Sequence, residues 1–297
     1  MLAFTLLPLI GIGLLALALD DDFEEAAAAS RSDASGTEED DMLSGSGEND
    51  LLSGLGGDDE LRGEGGDDRI LAGDGSDLAI GGAGADALFG EDGDDTLWGI
   101  GGDDTLDGGP GDDILRGDAG DDLLLPGAGA DAALGGAGDD EISGAFSSAD
   151  DLPDLPDRLD GGEGVDRITA DDGDLVTGGA GADVLRVLGI DQPGATPVTI
   201  TDFDPEEDTL VLVDDAGNDV SFAPFGETPQ EGEFDGLPFV EIRATPDEAG
   251  TEVIYDGSVI ALLRDTPVSV LDGDSAWLVN RNALLLVQLS AAPGVAA

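Results

Sequence analysis

GGAGADALF (81–89), GIGGDDTLD (99–107), GGPGDDILR (108–116) and GGAGDDEIS (135–143) are copies of one nine-residue phrase that recurs twelve times without a slip from Gly36 to Ser143. Every copy has aspartate at its sixth position: Asp41, Asp50, Asp59, Asp68, Asp77, Asp86, Asp95, Asp104, Asp113, Asp122, Asp131 and Asp140. Positions 1 to 5 are rich in glycine, as a turn needs where backbone angles exclude a β-carbon. Positions 7 to 9 read as a short strand whose middle residue points inward. Leu43, Leu52, Leu61, Ile70, Leu88, Leu97, Leu106, Leu115, Leu124 and Ile142 fill that slot, and Ala79 and Ala133 shrink it. A glycine-rich turn followed by an aspartate can present carboxylate and carbonyl oxygens together. Those are the hard ligands calcium takes, roughly six to eight at a time.

The phrase, G-G-x-G-x-D-x-U-x with U a large aliphatic residue, resembles the hemolysin-type (RTX) calcium-binding nonapeptide. The likeness is dense over 36–143 and resumes over 157–186. It implies an all-β fold, a right-handed parallel β-roll in which two phrases make one turn and phrase n stacks on phrase n+2. It also implies that a position-6 aspartate bridges ions on either side of it while turn carbonyls complete each shell. The implied ligands are Asp50, Asp59, Asp68, Asp77, Asp86, Asp95, Asp104, Asp113, Asp122, Asp131 and Asp140, with Asp166 and Asp183 beyond them. Turn glycines Gly81, Gly90, Gly99, Gly108, Gly117 and Gly135 join that set. Pairing aspartates two phrases apart gives roughly ten calcium ions in the first block. Position 5 is usually a second acid: Asp58, Asp67, Asp94, Asp103, Asp112, Asp121 or Asp139. In the family that position lends its carbonyl. Its side chain is then expected in solvent, gathering calcium, with direct ligation the alternative.

Sixty-nine acids face ten bases, all arginine, for a formal charge of −59, and there is no histidine or cysteine. Such a chain is no partner for nucleic acid, whose phosphates need clustered Lys/Arg, or for bare anionic membranes. Self-repulsion should keep the ion-free repeats expanded. Halophilic or marine adaptation would account for the acidity, but not for the period or the fixed aspartate. Without cysteine there is no disulfide framework, so stability has to come from packing or metal. One inward aliphatic residue per phrase is too little burial to offset ordering the chain at ~1–2 kcal/mol per residue. Metal binding is therefore expected to supply folding free energy.

Residues 2–19 are apolar apart from Thr5, with Pro8, Gly11 and Gly13 interrupting them. The run is just long enough to span a bilayer as a helix. Ala16-Leu17-Ala18 suits signal cleavage, but no Lys or Arg precedes the run. A cleaved signal and a retained anchor both fit. Residues 20–35 read as a disordered acidic linker, and 36–186 as the roll. Residues 144–156 (GAFSSADDLPDLP) break the phrase. Asp140 and Asp157 are 17 residues apart, one short of two repeats, so the roll is expected to continue through a distorted turn. Glu39 and Glu48 replace the fourth-position glycine in the first two phrases, which predicts an imperfect cap there.

From residue 187 the texture becomes short β-rich runs: VTITDF (198–203), TLVLVD (209–214), FVEIRA (239–244) and VIALLR (259–264). With Asp256-Gly257 as a tight turn, these predict a small β-rich C-terminal domain over 187–297. TITDFDPEEDTLVL (199–212) resembles the segment that follows the repeats in many type I-secreted RTX proteins. The uncharged tail NALLLVQLSAAPGVAA (282–297) resembles their C-terminal export signal by position more than by motif.

No catalytic constellation appears. Without histidine, cysteine or lysine there is no zincin motif, no Ser-His-Asp arrangement, no thiol nucleophile and no Schiff base. Paired carboxylates abound, but a sugar cleft needs aromatic walls, and only Trp98, Trp277 and Tyr255 stand beside nine Phe. The expected function is calcium binding by a secreted, non-enzymatic protein that folds on extracellular calcium. The alternative is a cell-surface structural or adhesive protein anchored by residues 2–19, with surface polysaccharide or other surface proteins as partners.

Overall fold

The computed structural model describes residues 33–144, 155–188, 196–204, 207–213, 219–222, 240–244, 250–255, 258–264, 277–280 and 284–289. The apolar segment 2–19, the linker as far as residue 32, most of the break at 144–156, the Asp256-Gly257 turn and the end of the tail lie outside these residues.

Each phrase from the second to the eleventh extends its strand past position 9 through the first three residues of the next phrase, giving six-residue strands. Alternate strands enter two parallel sheets. One sheet runs through β1 (Ala34–Ser35), β3 (Leu51–Gly56), β5 (Arg69–Asp74), β7 (Ala87–Asp92), β9 (Thr105–Pro110), β11 (Leu123–Ala128), β13 (Glu141–Ser143), β15 (Arg167–Ala170), β17 (Val184–Val187) and β19 (Thr209–Val213). The other runs through β2 (Met42–Ser44), β4 (Glu60–Gly65), β6 (Leu78–Ala83), β8 (Thr96–Gly101), β10 (Ile114–Ala119), β12 (Ala132–Ala137), β14 (Arg158–Glu163), β16 (Leu175–Ala180) and β18 (Val198–Ile200). Leu52 lies opposite Ile70, and Leu97 opposite both Ala79 and Leu115. Equivalent residues two phrases apart are thus partners throughout the strict block, as the resemblance implies.

That register stacks the position-8 residues into one row between the sheets. Leu52, Leu61, Ile70, Leu88, Leu97, Leu106, Leu124 and Ile142 are fully buried, and Ala79 and Ala133 sit in the same row. The roll begins at Ala34, two residues inside the stretch read as linker. Ala34 and Ser35 occupy the strand positions of a phrase that has Ser32 where the aspartate would be, and Ala34 pairs with Leu52.

The break is an insertion rather than two repeats short by one. β12 pairs with β14 and β13 with β15, so Asp157 belongs to the phrase directly after that of Asp140. The added residues leave the strands' register along the stack unbroken.

Nor is 187 a boundary in the sheets. β17 pairs in parallel with β19, and β16 with β18. β20 (Asp219–Phe222) then pairs antiparallel with β19, and β23 (Ser258–Arg264) pairs in parallel with β18. β22 (Gly250–Tyr255) adds antiparallel to β23, and β21 (Val240–Ala244) to β22. Val198, Ile200, Leu210, Leu212, Val253, Ala261 and Leu263 belong to the same core cluster as the leucine row. Apolar strands continue both sheets, and they cover edges that would otherwise expose unpaired backbone groups. Among the described residues there is no helix.

Candidate metal centre

The position-6 aspartates form two ladders along the stack. In each rung, the backbone N–H of one aspartate donates to Oδ1 of the aspartate one turn further on: Asp50 to Asp68 at 2.7 Å, Asp86 to Asp104 and Asp104 to Asp122 at 2.8 Å. The insertion does not interrupt this. Asp131 donates to Asp157 and Asp140 to Asp166, in each case across 26 residues instead of 18. One ladder ends at Asp174, reached from Asp157, and the other at Asp208, reached from Asp183.

The second carboxylate oxygen has a different fate. Oδ2 of Asp59, Asp68, Asp77, Asp86, Asp95, Asp104, Asp113, Asp122, Asp140, Asp166 and Asp183 is buried and accepts no hydrogen bond. Leaving one buried acceptor unsatisfied costs about 1–3 kcal/mol, and more for a charged group. A row of them calls for cations.

The position-1 glycines define where these oxygens point. At Gly108, a β-carbon would lie 2.5 Å from Asp113 Oδ2 and closer still to the Pro126 carbonyl oxygen of the next turn. Gly90, Gly117 and Gly135 meet Oδ2 of Asp95, Asp122 and Asp140 together with a carbonyl of the next turn, and Gly81 and Gly99 meet Oδ2 of Asp86 and Asp104. Carboxylate and carbonyl oxygens therefore converge with no donor between them. No three acidic side chains cluster closely enough among the described residues to hold an ion by themselves. The donor set is thus a carboxylate completed by backbone carbonyls, all hard oxygens, which suits calcium rather than a nitrogen- or sulfur-loving metal.

Turn conformation is equally regular. From Leu55 to Gly136 every position 2, and from Gly57 to Gly138 every position 4, has positive φ. Position 2 tolerates side chains there, including Leu55, Glu64, Glu91, Ile100 and Asp118. Position 4 does not, because a β-carbon on Gly102 would run into the Gly84 carbonyl of the turn beneath. Glu39 and Glu48 escape this restriction because neither has positive φ.

Position 5 carries further ladders of its own, which the nine-residue period does not reveal. Oδ1 of Asp58 accepts from the Ser76 N–H and that of Asp67 from Ala85; Asp94 accepts from Asp112, Asp112 from Ala130, Asp103 from Asp121, Asp121 from Asp139, and Asp139 from Val165. These side chains are exposed, yet each ties its turn to the next, in the opposite sense to the position-6 ladder.

Burial pushes the carboxyls of Asp59, Asp68, Asp77, Asp86, Asp95, Asp104, Asp113, Asp122, Asp140, Asp166 and Asp183 up, with neighbouring carboxylates adding to the effect and the backbone N–H on Oδ1 opposing it. Asp104, Asp113 and Asp166 rise to about 7, and Asp86, Asp95 and Asp122 to about 6. An ion-free roll thus takes up protons on these carboxyls more readily than free aspartates do.

The family model described as RTX calcium-binding nonapeptide repeat (4 copies) matches residues 35–70, 71–99, 98–133, 127–146 and 155–185. The roll is an array of RTX calcium-binding repeats. No curated protein matches the chain. The RTX matches cover both the strict block and its resumption after the insertion, and stop where the C-terminal strands take over. Of the ligands that the resemblance implies, the array stacks Asp59 to Asp140, Asp166 and Asp183 in the two ladders described above, and Asp50 stands at the start of one. Asp157, Asp174 and Asp208 belong to the ladders as well. Asp208 was legible in principle, since Asp-Thr-Leu at 208–210 repeats the Asp-Thr-Leu of 95–97 and 104–106. Asp174 ends a phrase that has lost one residue after Asp166, which hides it from a strict period.

Proposed function

We propose that this protein is a secreted calcium-binding module whose roll folds when the chain meets extracellular calcium, and that it has no catalytic activity of its own. The observation that carries this reading is the row of buried, unpartnered Oδ2 atoms. A net charge of −59 over the chain, with carboxylates packed one above another in the turns, disfavours the roll until cations neutralise it. Calcium supplies that neutralisation and ties successive turns together, so ion binding is folding free energy. Extracellular-type sites bind at about 10⁻⁴–10⁻³ M, which leaves the chain unfolded inside a cell and threadable for export. The residues argue against enzyme chemistry through the lack of histidine, cysteine and lysine, and the buried aspartates are committed to the ladders.

Far-ultraviolet circular dichroism of the full chain, with calcium and with excess chelator, tests this directly. A β spectrum that appears only with calcium, alongside several bound ions per chain, is the expected result. The same β spectrum in chelator would overturn the folding switch.

A further inference from the structure

The ladders end differently from how they run. Asp41 and Asp50 open them, and there Oδ2 is already satisfied. Thr37 N–H and Oγ1 donate to Asp41 Oδ2 at 2.7 and 2.9 Å, and Ser46 N–H and Oγ to Asp50 Oδ2 at 2.6 and 2.9 Å. This is possible because Thr37 and Ser46, alone among the position-2 residues of the twelve-phrase block, are outside the positive-φ region. Their N–H groups are turned back onto the carboxylate of their own phrase. The far ends repeat the device: Asp171 N–H donates to Asp174 Oδ2 at 2.9 Å, and Asp204 N–H to Asp208 Oδ2 at 2.7 Å.

Resting on the calcium reading above, we infer that both ladders are closed at both ends by hydrogen bonds in place of ions. Asp41, Asp50, Asp174 and Asp208 are metal-free caps, and calcium is confined to the turns between them. Among the described residues no further ladder aspartate precedes Asp41 or Asp50 or follows Asp174 or Asp208, so a terminal turn lacks the second carboxylate that an interior turn shares with its neighbour. A donor from the same turn solves that problem locally. It also spares the end from a carboxylate that would otherwise need an incomplete shell. Glu39 and Glu48 lie in these same opening phrases and, like Thr37 and Ser46, are outside the positive-φ region.

The test is a count of calcium bound per chain, by equilibrium dialysis and atomic emission on the full-length protein, with circular dichroism to confirm folding. Asp50→Asn and Asp208→Asn are expected to keep the wild-type count, whereas Asp104→Asn loses at least one ion. A count that falls in Asp50→Asn or Asp208→Asn overturns the caps. Should either variant fail to fold, Ser46→Ala provides the second reading, because it deletes one of the two donors to Asp50. An unchanged count with faster amide exchange over 42–53 supports the cap, and a lost ion means that Ser46 is a ligand and sinks it. Wild-type protein that binds no calcium at all would instead remove the calcium reading, so the two failures are distinguishable.

Discussion

The strict block, 36–143, and the continuation, 155–264, build the same two sheets by different means. In the strict block each phrase buries one aliphatic side chain and spends the rest of its residues on the turn. Left-handed residues at positions 2 and 4, a glycine at position 1 and a buried aspartate recur with almost no variation. In the continuation the turns become irregular: one phrase loses a residue between Asp166 and Asp174, and 25 residues separate Asp183 from Asp208. The strands compensate. β17 buries Leu185 and Val187, β19 buries Leu210, Val211, Leu212 and Val213, and Val253, Ile260, Ala261 and Leu263 pack behind them. Where apolar burial is thin, the turn must be uniform and loaded with ions. Where it thickens, the phrase can decay without losing the sheets.

The largest effect that would break this contrast is calcium removal followed by amide exchange along the chain. In chelator, protection over 51–140 should vanish, while 209–213 and 250–264 keep a measurable fraction of theirs. Equal loss in both regions would mean that the continuation depends on ions as fully as the strict block does.

Next in size is a pair of glycine substitutions. Gly102→Ala drives a β-carbon into the Gly84 backbone of the turn beneath, and it also strains a residue at φ +122°. The backbone clash and the strain together should destabilise by on the order of 3 kcal/mol. Gly173→Ala, in the continuation, would meet only side-chain atoms of Pro156 and Thr196, at 3.0 and 3.3 Å. It should lose about 1–2 kcal/mol, from the left-handed backbone alone. Calcium midpoints and thermal melts of the two variants measure the difference, and equal losses would refute the role of the turn beneath.

Much of this was legible because a strict period fixes register. Once phrase n stacks on phrase n+2, the leucine row and the alignment of the aspartates follow without further information. What the pattern could not carry lies outside the period. A spacing of 17 between Asp140 and Asp157 looks like two repeats short by one, although it is one repeat carrying an insertion. The ladders were invisible for another reason: their donors are backbone N–H groups a full turn away, and a one-dimensional pattern does not name them. Val198 and Leu263 join the core without any phrase around them, so the sequence suggested a separate domain where the sheets simply continue.

Proton and calcium should compete, and the sign is set by the raised carboxyls. A carboxyl whose folded pKa lies above its unfolded value stabilises the fold when protonated, and that contribution is lost as pH rises through the folded value. For Asp104 and Asp113 the window runs from the ordinary value of 3.8 up to about 7. In chelator, acidification from about pH 8 to about pH 5 should therefore restore part of the β signal, mainly in the strict block. With calcium present the same acidification should weaken ion binding, because protons occupy the ligands. Chelated protein that loses β structure on acidification would contradict both the burial and the ladders.

The smallest expected effect comes from position 2, where the turn admits a side chain without favouring it. Ile100 sits at φ +85° and is 44% exposed. Its strand partners at the same position are Gly82 and Asp118, so neither the register nor a buried contact demands a branched residue. Left-handed backbone costs a non-glycine residue about 1–2 kcal/mol, while glycine gives back roughly 0.5–1 kcal/mol through its freedom in the unfolded chain. Ile100→Gly should therefore stabilise the loaded roll by a fraction of a kcal/mol up to about 1 kcal/mol. It would appear as a lower calcium midpoint and a slightly higher melting temperature. A clear loss of stability would show that the exposed isoleucine contributes packing on the outer face of β8 that outweighs its strain.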